Sequence, residues 1–272
     1  MEAQIITIFC VIDDILKCID FRDDVQVTMT TSEIMTIAVA AGKFFGGNQA
    51  RTCRFFKEQR YVKNMLSSSQ FNRRLHAIDV SIWETINFVL SQIFISRNET
   101  QEYSVDSFPV EVCHNIRISR CKIYKDEEYR GYCASKREYF FGIRVHMVST
   151  ITRAPIEFIF APGSHHDSAV FKQFQLDLPE NSTLYSDSGN TDYNYEDILR
   201  DAGINFLPAR KSNSKRPHSP VLAYLINHFR KPIETTFSSI TSLFPRKIHA
   251  VTSRGFELKV FTFILAYSFT FL

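Results

Sequence analysis

The sequence predicts a helical region over residues 1–100, followed by an α/β domain with a mixed sheet over residues 101–272. Three observations predict it. The chain has 272 residues, 44% of them hydrophobic and 22% charged, which is the composition of a globular protein with a sizeable core. Near residue 101 the apolar spacing changes from the helical period to strand-like runs. From there the elements read β-β-β-α-β-α-β-α, three strands in succession and then strands alternating with helices. That order suits an antiparallel portion joined to parallel βαβ units.

Each element has a local reason. Ile5, Ile8, Phe9, Ile12, Ile15 and Leu16 repeat at helical spacing. Thr31 or Ser32 is placed to cap a second helix, with Glu33 in its first turn, running to Phe45 and stopped by Gly46-Gly47. Asn48 can cap a third, basic helix from Gln49 to Gln59. Ser67–Ser69 can cap a long fourth helix running through Phe71, Leu75, Ile78, Ile82, Ile86, Val89 and Ile93. Asn72, Arg73, Arg74 and His76 lie near its start. A short basic helix, a turn and a second helix with basic residues near its start match the helix-turn-helix plan, and equally a plain helical subdomain. In the second half, strands are expected at Glu102–Val110, Tyr139–Ile151, Ile156–Ala161, Ser182–Asp187 and Ile204–Pro208. Helices are expected at His166–Phe174, Tyr193–Ala202 and Val221–Leu243, the last with Pro232 inside its pattern. This is the element order of a ribonuclease H-like fold.

The formal net charge of +3 conceals an uneven distribution, with −5 over residues 1–41 and +7 over residues 42–76. The basic block, with Arg51, Arg54, Arg73 and Arg74, is either a phosphate-binding footprint or a solvated helical face. Two later loops are also basic. Glu111–Lys136 carries Arg117, Arg120, Lys122, Lys125, Arg130 and Lys136, and Ala209–Pro220 carries Lys211, Lys215 and Arg216. Both read as phosphate-contacting or simply solvated.

Six cysteines form no Cys-x-x-Cys pair, so reduced thiols in a cytosol are expected. Met1–Asp14 carries Glu2, Asp13 and Asp14 and no basic stretch, unlike a secretory signal. Val260–Leu272 is apolar, but far shorter than the roughly 20 residues of a bilayer span. A buried helix or strand is expected there, with no membrane partner.

Three acids stand out. Asp106 interrupts an apolar strand between Val105 and Phe108, where an unpaired charge is costly. Asp187 ends the fourth strand, at the sheet edge where α/β folds place ligands. Glu234 sits beside Ile233 and Phe237 on the last long helix. Each has a bland reading as a turn acid, a helix cap or an ion-pair partner of Arg230. If their elements are neighbours, the three acids converge, and hard divalent cations relieve their mutual repulsion. His165-His166-Asp167 is a second cluster without a third ligand at metal-site spacing, and Asp167 reads as an N-cap for the following helix.

Several stretches are long and specific: MTTSEIMTIAVAAGKFFGGN, FNRRLH, VDSFPVEVCHNIRISR, EEYRGYCASKREYFFGIRVHM, PIEFIFAPGSHHD, RKSNSKRP, RKPIETTFSSI and LFPRKIHAVTSRGFELKVFTFILAY. Through them the chain resembles bacterial insertion-sequence transposases of the DDE type. The resemblance implies a ribonuclease H-like catalytic domain behind a helical DNA-binding region. It implies strand cleavage and strand transfer at the terminal repeats of a mobile element, with two Mg2+ ions, or Mn2+ in their place. The triad carried over is Asp106, Asp187 and Glu234. Arg230, Lys231, Lys211, Lys215 and Arg216 would contact phosphates. The partners implied are double-stranded element ends and target DNA, bound by a homo-oligomer in the bacterial cytoplasm at the nucleoid.

This chain departs from the pattern in two places. The family's Lys-x-aromatic after the second Asp is here Ser188-Gly189-Asn190, and Pro232 precedes Glu234 by two residues. An interior Pro bends a helix, whereas a Pro at the first helical position shortens it to its second half. The alternative reading is therefore a decayed copy that binds DNA without cutting it.

Overall fold

The computed structural model describes residues 1–134 and 137–272, so Lys136 of the basic loop lies outside the described residues. The chain forms two compact units, Met1–Val89 with Ser239–Leu272, and Leu90–Ser238. The division between the units falls between Val89 and Leu90, inside a helix, and the C-terminal segment groups with the N-terminal helices.

The first unit contains α1 (Glu2–Cys18), α2 (Thr31–Phe44), α3 (Gln49–Glu58), α4 (Ser68–Ala77), the first part of α5 (Val80–Ser96) and the last helix of the chain, α10 (Ser253–Ser268). Helix α2 is its centre, buried from Ile34 to Gly42 and packed against α1 and α10. Gly42 is what lets α10 come close. A Cβ there would meet Thr262 O at 3.2 Å and the Ala266 Cβ at 3.3 Å. Thr30, one residue before the expected cap, starts α2 with a capping box. Its hydroxyl accepts from the Glu33 N–H at 3.2 Å, and its own N–H donates to Glu33 Oε2 at 2.8 Å. Such a cap contributes about 1 kcal/mol. Asn48 caps α3 as expected.

The long fourth helix is two helices bent by 73°. Ile78 is extended, with φ −64° and ψ 127°, and Asp79 Oδ1 accepts the Ser81 N–H at 2.9 Å. That Asx-type bond satisfies an orphan donor at the start of α5 and competes with continuing the first helix. Helix α10 accounts for most of the apolar C-terminal run, with Phe263–Ala266 fully buried. No single helix among the described residues is long and apolar enough to cross a membrane.

The second unit contains β1 (Glu102–Cys113), β2 (Arg130–Cys133), β3 (Glu138–Thr150), β4 (Pro155–Pro162), α6 (Asp167–Phe171), β5 (Thr183–Ser186), α7 (Tyr193–Asp201), β6 (Asn205–Pro208), α8 (Pro220–Arg230) and α9 (Pro232–Ser242), the last of which continues into the first unit. The sheet runs β4-β3-β1-β5-β6, and the short β2 also pairs with β3. Strand β1 is antiparallel to β3 and parallel to β5, which is the mixed sheet expected of a ribonuclease H-like fold. Helices flank both faces. On one face Phe229 of α8 stacks on Tyr185 (5.3 Å) and Phe237 of α9 meets Phe108 (4.6 Å). On the other, Phe171 of α6 packs on Phe206 (4.8 Å) and on Tyr195 of α7 (5.4 Å).

Three expectations change here. Strand β2, only Arg-Gly-Tyr-Cys, has no sequence signal of its own and exists through its pairing with β3. Helix α6 is one turn, shorter than His166–Phe174. The last long helix breaks at Lys231, and Pro232 opens α9 at its first position, where its missing N–H leaves no bond unmade.

Candidate active site

Two of the three acids are brought together by strand register. The last bonded pair between β1 and β5 is Val105 with Ser186, and the next residue of each strand is Asp106 and Asp187. Alternation then puts both on the face of Ser104 and Tyr185, the face covered by α8 and α9. Burial is the main force that pushes the Asp106 carboxyl up from 3.8 to about 7, and the charges of Asp187 and Asp167 push the same way. The Ser107 N–H, 2.7 Å from Asp106 Oδ1, and Arg230 pull it down by less. Asp187 turns back on its own loop and accepts the Gly189 N–H at 2.9 Å.

Glu234 does not join them. It lies in the first turn of α9, its side chain 60% exposed, not on the apolar stripe its neighbours suggested. Its carboxylate is 3.8 Å from Arg230 Nη1. Arg230 is thus an ion-pair partner of Glu234 that also acts on Asp106, and its Nε is buried with no hydrogen-bond partner. No three His, Cys, Asp or Glu side chains among the described residues are close enough to hold one metal ion together.

Asp167 is the acid whose role the sequence did not reveal. It is not the N-cap of α6, for that position is His166, which makes no capping bond. Asp167 Oδ1 instead accepts from Ser107 Oγ at 2.8 Å and lies 3.6 Å from His146 Nδ1. Arg144 Nη1 donates to the same Ser107 hydroxyl at 3.2 Å. Burial holds His146 neutral, down to about 4, against the upward pull of Asp167. The signal was present as two polar residues, Ser107 and His146, at apolar strand positions. They turn out to be cross-strand partners.

The basic residues divide. Arg51, Arg54, Arg73, Arg117, Arg120, Lys211, Lys215 and Lys231 are exposed. Arg74 is engaged by Asp23 and the Met29 carbonyl, each at 3.2 Å. Arg216 makes a two-pronged bond to Asp197, at 2.8 and 2.9 Å.

No curated protein matches the chain. A solved structure, a piggyBac transposase synaptic complex with hairpin DNA, is similar at 12% identity and a TM-score of 0.48, over 96% of this chain and 71% of that one. A family model described as a transposase DDE domain matches residues 96–248. That span is more than half of the chain and holds Asp106, Asp187 and Glu234 alike, so the chain belongs to the DDE transposase domain family.

Proposed function

We propose that this chain is a DDE transposase that cuts DNA at the terminal repeats of an insertion sequence and joins the freed ends to target DNA, with Asp106, Asp187 and Glu234 as its acidic set. The observation that carries the reading is the adjacency of Asp106, within β1, and Asp187, just past the end of the neighbouring β5, in a domain of this family. Their donor set fits a hard divalent cation. Mg2+ is usually held by one or two carboxylates plus substrate phosphates, and a carboxyl pushed to about 7 by burial and acidic neighbours is one that a cation would ionise. When bound, a pair of such ions activates the attacking oxygen and stabilises the leaving oxygen of an in-line displacement at phosphorus.

The chain's own residues do the rest. Asp106 and Asp187 would hold the cations. Glu234 would complete the set only by leaving Arg230 and turning inward from the first turn of α9, which would free the Arg230 guanidinium for a flanking phosphate. The exposed arginines of α3 and α4 supply a salt-sensitive grip on the duplex. The test is Mg2+-dependent nicking of a plasmid carrying the sequences that bracket the gene. Wild type nicks it and Asp187→Asn does not; equal behaviour overturns the reading.

A second reading, a decayed copy that binds DNA without cutting it, is favoured by the exposure of Glu234 and its Arg230 partner. It predicts salt-sensitive DNA binding with no turnover.

A further inference from the structure

The loop that follows β6, residues 209–219, is held by an arrangement that the acid pair does not use. Tyr193, the first residue of α7, lies between two guanidinium groups, with Arg210 5.3 Å and Arg216 5.0 Å from its ring centre. Its hydroxyl bonds the Ser214 hydroxyl at 2.8 Å and accepts the Lys215 N–H at 3.0 Å. Both guanidiniums are fixed from α7. Arg210 makes two 2.6 Å bonds to Glu196, a pair under 10% exposed on each side. Arg216 bonds both oxygens of Asp197, and its N–H bonds Ser214 Oγ at 3.3 Å. Further along, His218 Nε2 bonds the Pro208 carbonyl at 2.9 Å. Lys211 and Lys215, on the same loop, are exposed and form no ion pair among the described residues.

We propose that Tyr193 is a positioning residue that holds this loop in a set shape, so that Lys211 and Lys215 bind the phosphodiester backbone while Arg210 and Arg216 act as anchors and not as DNA contacts. The inference rests on the DNA-binding reading above and revises it at Arg216. The physics favours the division. Drawing Arg216 onto a phosphate would break a two-pronged pair with Asp197 to make another, with little net gain. The lysines have no pair to break. A loop already ordered in the free protein loses less conformational entropy on binding than a mobile one.

The test measures binding of the full-length chain to a labelled duplex oligonucleotide across a KCl series, beside melting temperature and hydrogen exchange of the loop. Lys211→Gln and Lys215→Gln each lower the slope of log affinity on log salt by about 0.9, one phosphate contact apiece. Tyr193→Phe keeps the ring and removes only the hydroxyl. It weakens binding about 3- to 10-fold, the effect of one or two hydrogen bonds. It leaves the salt slope unchanged and speeds exchange at the loop amides. Wild-type affinity in Tyr193→Phe overturns the proposal, as does a slope loss of about 0.9 in Arg216→Gln. If the wild-type chain does not bind duplex DNA at any salt, the DNA-binding reading itself falls, and this inference with it.

Discussion

The strand-borne acids and the helix-borne acid obey different rules. Asp106 and Asp187 are adjacent because a parallel register makes them so, and the ladder between β1 and β5 leaves them little freedom. Glu234 depends on where α9 begins. The break at Lys231 and the start at Pro232 put it in an exposed first turn beside Arg230. Sheet pairing thus delivers two half-buried acids side by side, and the Asp106 carboxyl is pushed up chiefly by burial and further by the Asp187 charge. A helix end delivers a side chain that solvent and one arginine can satisfy. In this chain the strand acids are placed by the sheet, whereas the helix acid is left in an exposed first turn.

Four substitutions sharpen or break that contrast. The largest effect belongs to Asp106→Asn, which lowers cleavage at least about 10³-fold in a plasmid-nicking assay, the scale of losing a principal electrostatic group. It also changes how the metal-free protein responds to pH. Asp106, facing Asp187, Asp167 and Arg230, holds its proton up to about 7, whereas an ordinary carboxyl releases it near 3.8. Folding therefore takes up a proton at Asp106 in that window, and the Asp106 contribution to stability falls as pH rises through it, while His146, held down to about 4, contributes in the opposite direction. In a series of thermal melts the stability of wild type relative to Asp106→Asn therefore falls as pH rises from about 4 to about 7. A difference that stays flat between those values would show that burial does not displace the Asp106 carboxyl.

Glu234→Gln comes next. It lowers cleavage about 10²-fold, as expected of a group that must reach a precise position. It changes stability by less than about 1 kcal/mol, because its ion pair is exposed. Unchanged cleavage would reduce the helix-borne acid to a partner of Arg230. Asp167→Asn keeps the Ser107 bond and removes a charge near Asp106, so the Asp106 carboxyl moves back toward its ordinary range in a ¹³C NMR titration. Cleavage falls about 10-fold, at the lower end for a supporting residue around a metal site. A stationary Asp106 carboxyl would remove Asp167 from the site. Pro232→Ala has the smallest effect, under about 1 kcal/mol by denaturant titration, since Pro at the first helical position constrains mainly the unfolded chain. A rise in helical circular dichroism would mean that α8 and α9 had fused, and that Pro232 alone keeps Glu234 where it is.

Much of the fold was legible locally. The helical apolar period marked α1 to α3, Asn48 announced its own helix, and alternation located β1, β3 and β4 within a few residues. The failures were at breaks. Both long helical patterns contained an interruption that apolar spacing alone does not show. At Asp79 a side chain bonds the backbone ahead of it, and at Lys231 the chain turns once before Pro232. Strand β2 was invisible because four residues carry no period and only a partner strand defines them. At the site, Asp106 and Asp187 were readable from their strand positions. Asp167 was not, since its partners Ser107 and His146 come from β1 and β3.

Charge teaches the same lesson. The sequence alone determined where the basic residues cluster, which strands carry acids and where most helices start, because side-chain period and capping act over a few neighbouring residues. Only the tertiary structure decided which of those charges are still available. Arg74, Arg216 and Arg230 meet Asp23, Asp197 and Glu234. Lys211 and Lys215 meet no acid among the described residues. An ion pair depends on distance in space, and the chain must be folded before residues far apart along it have one.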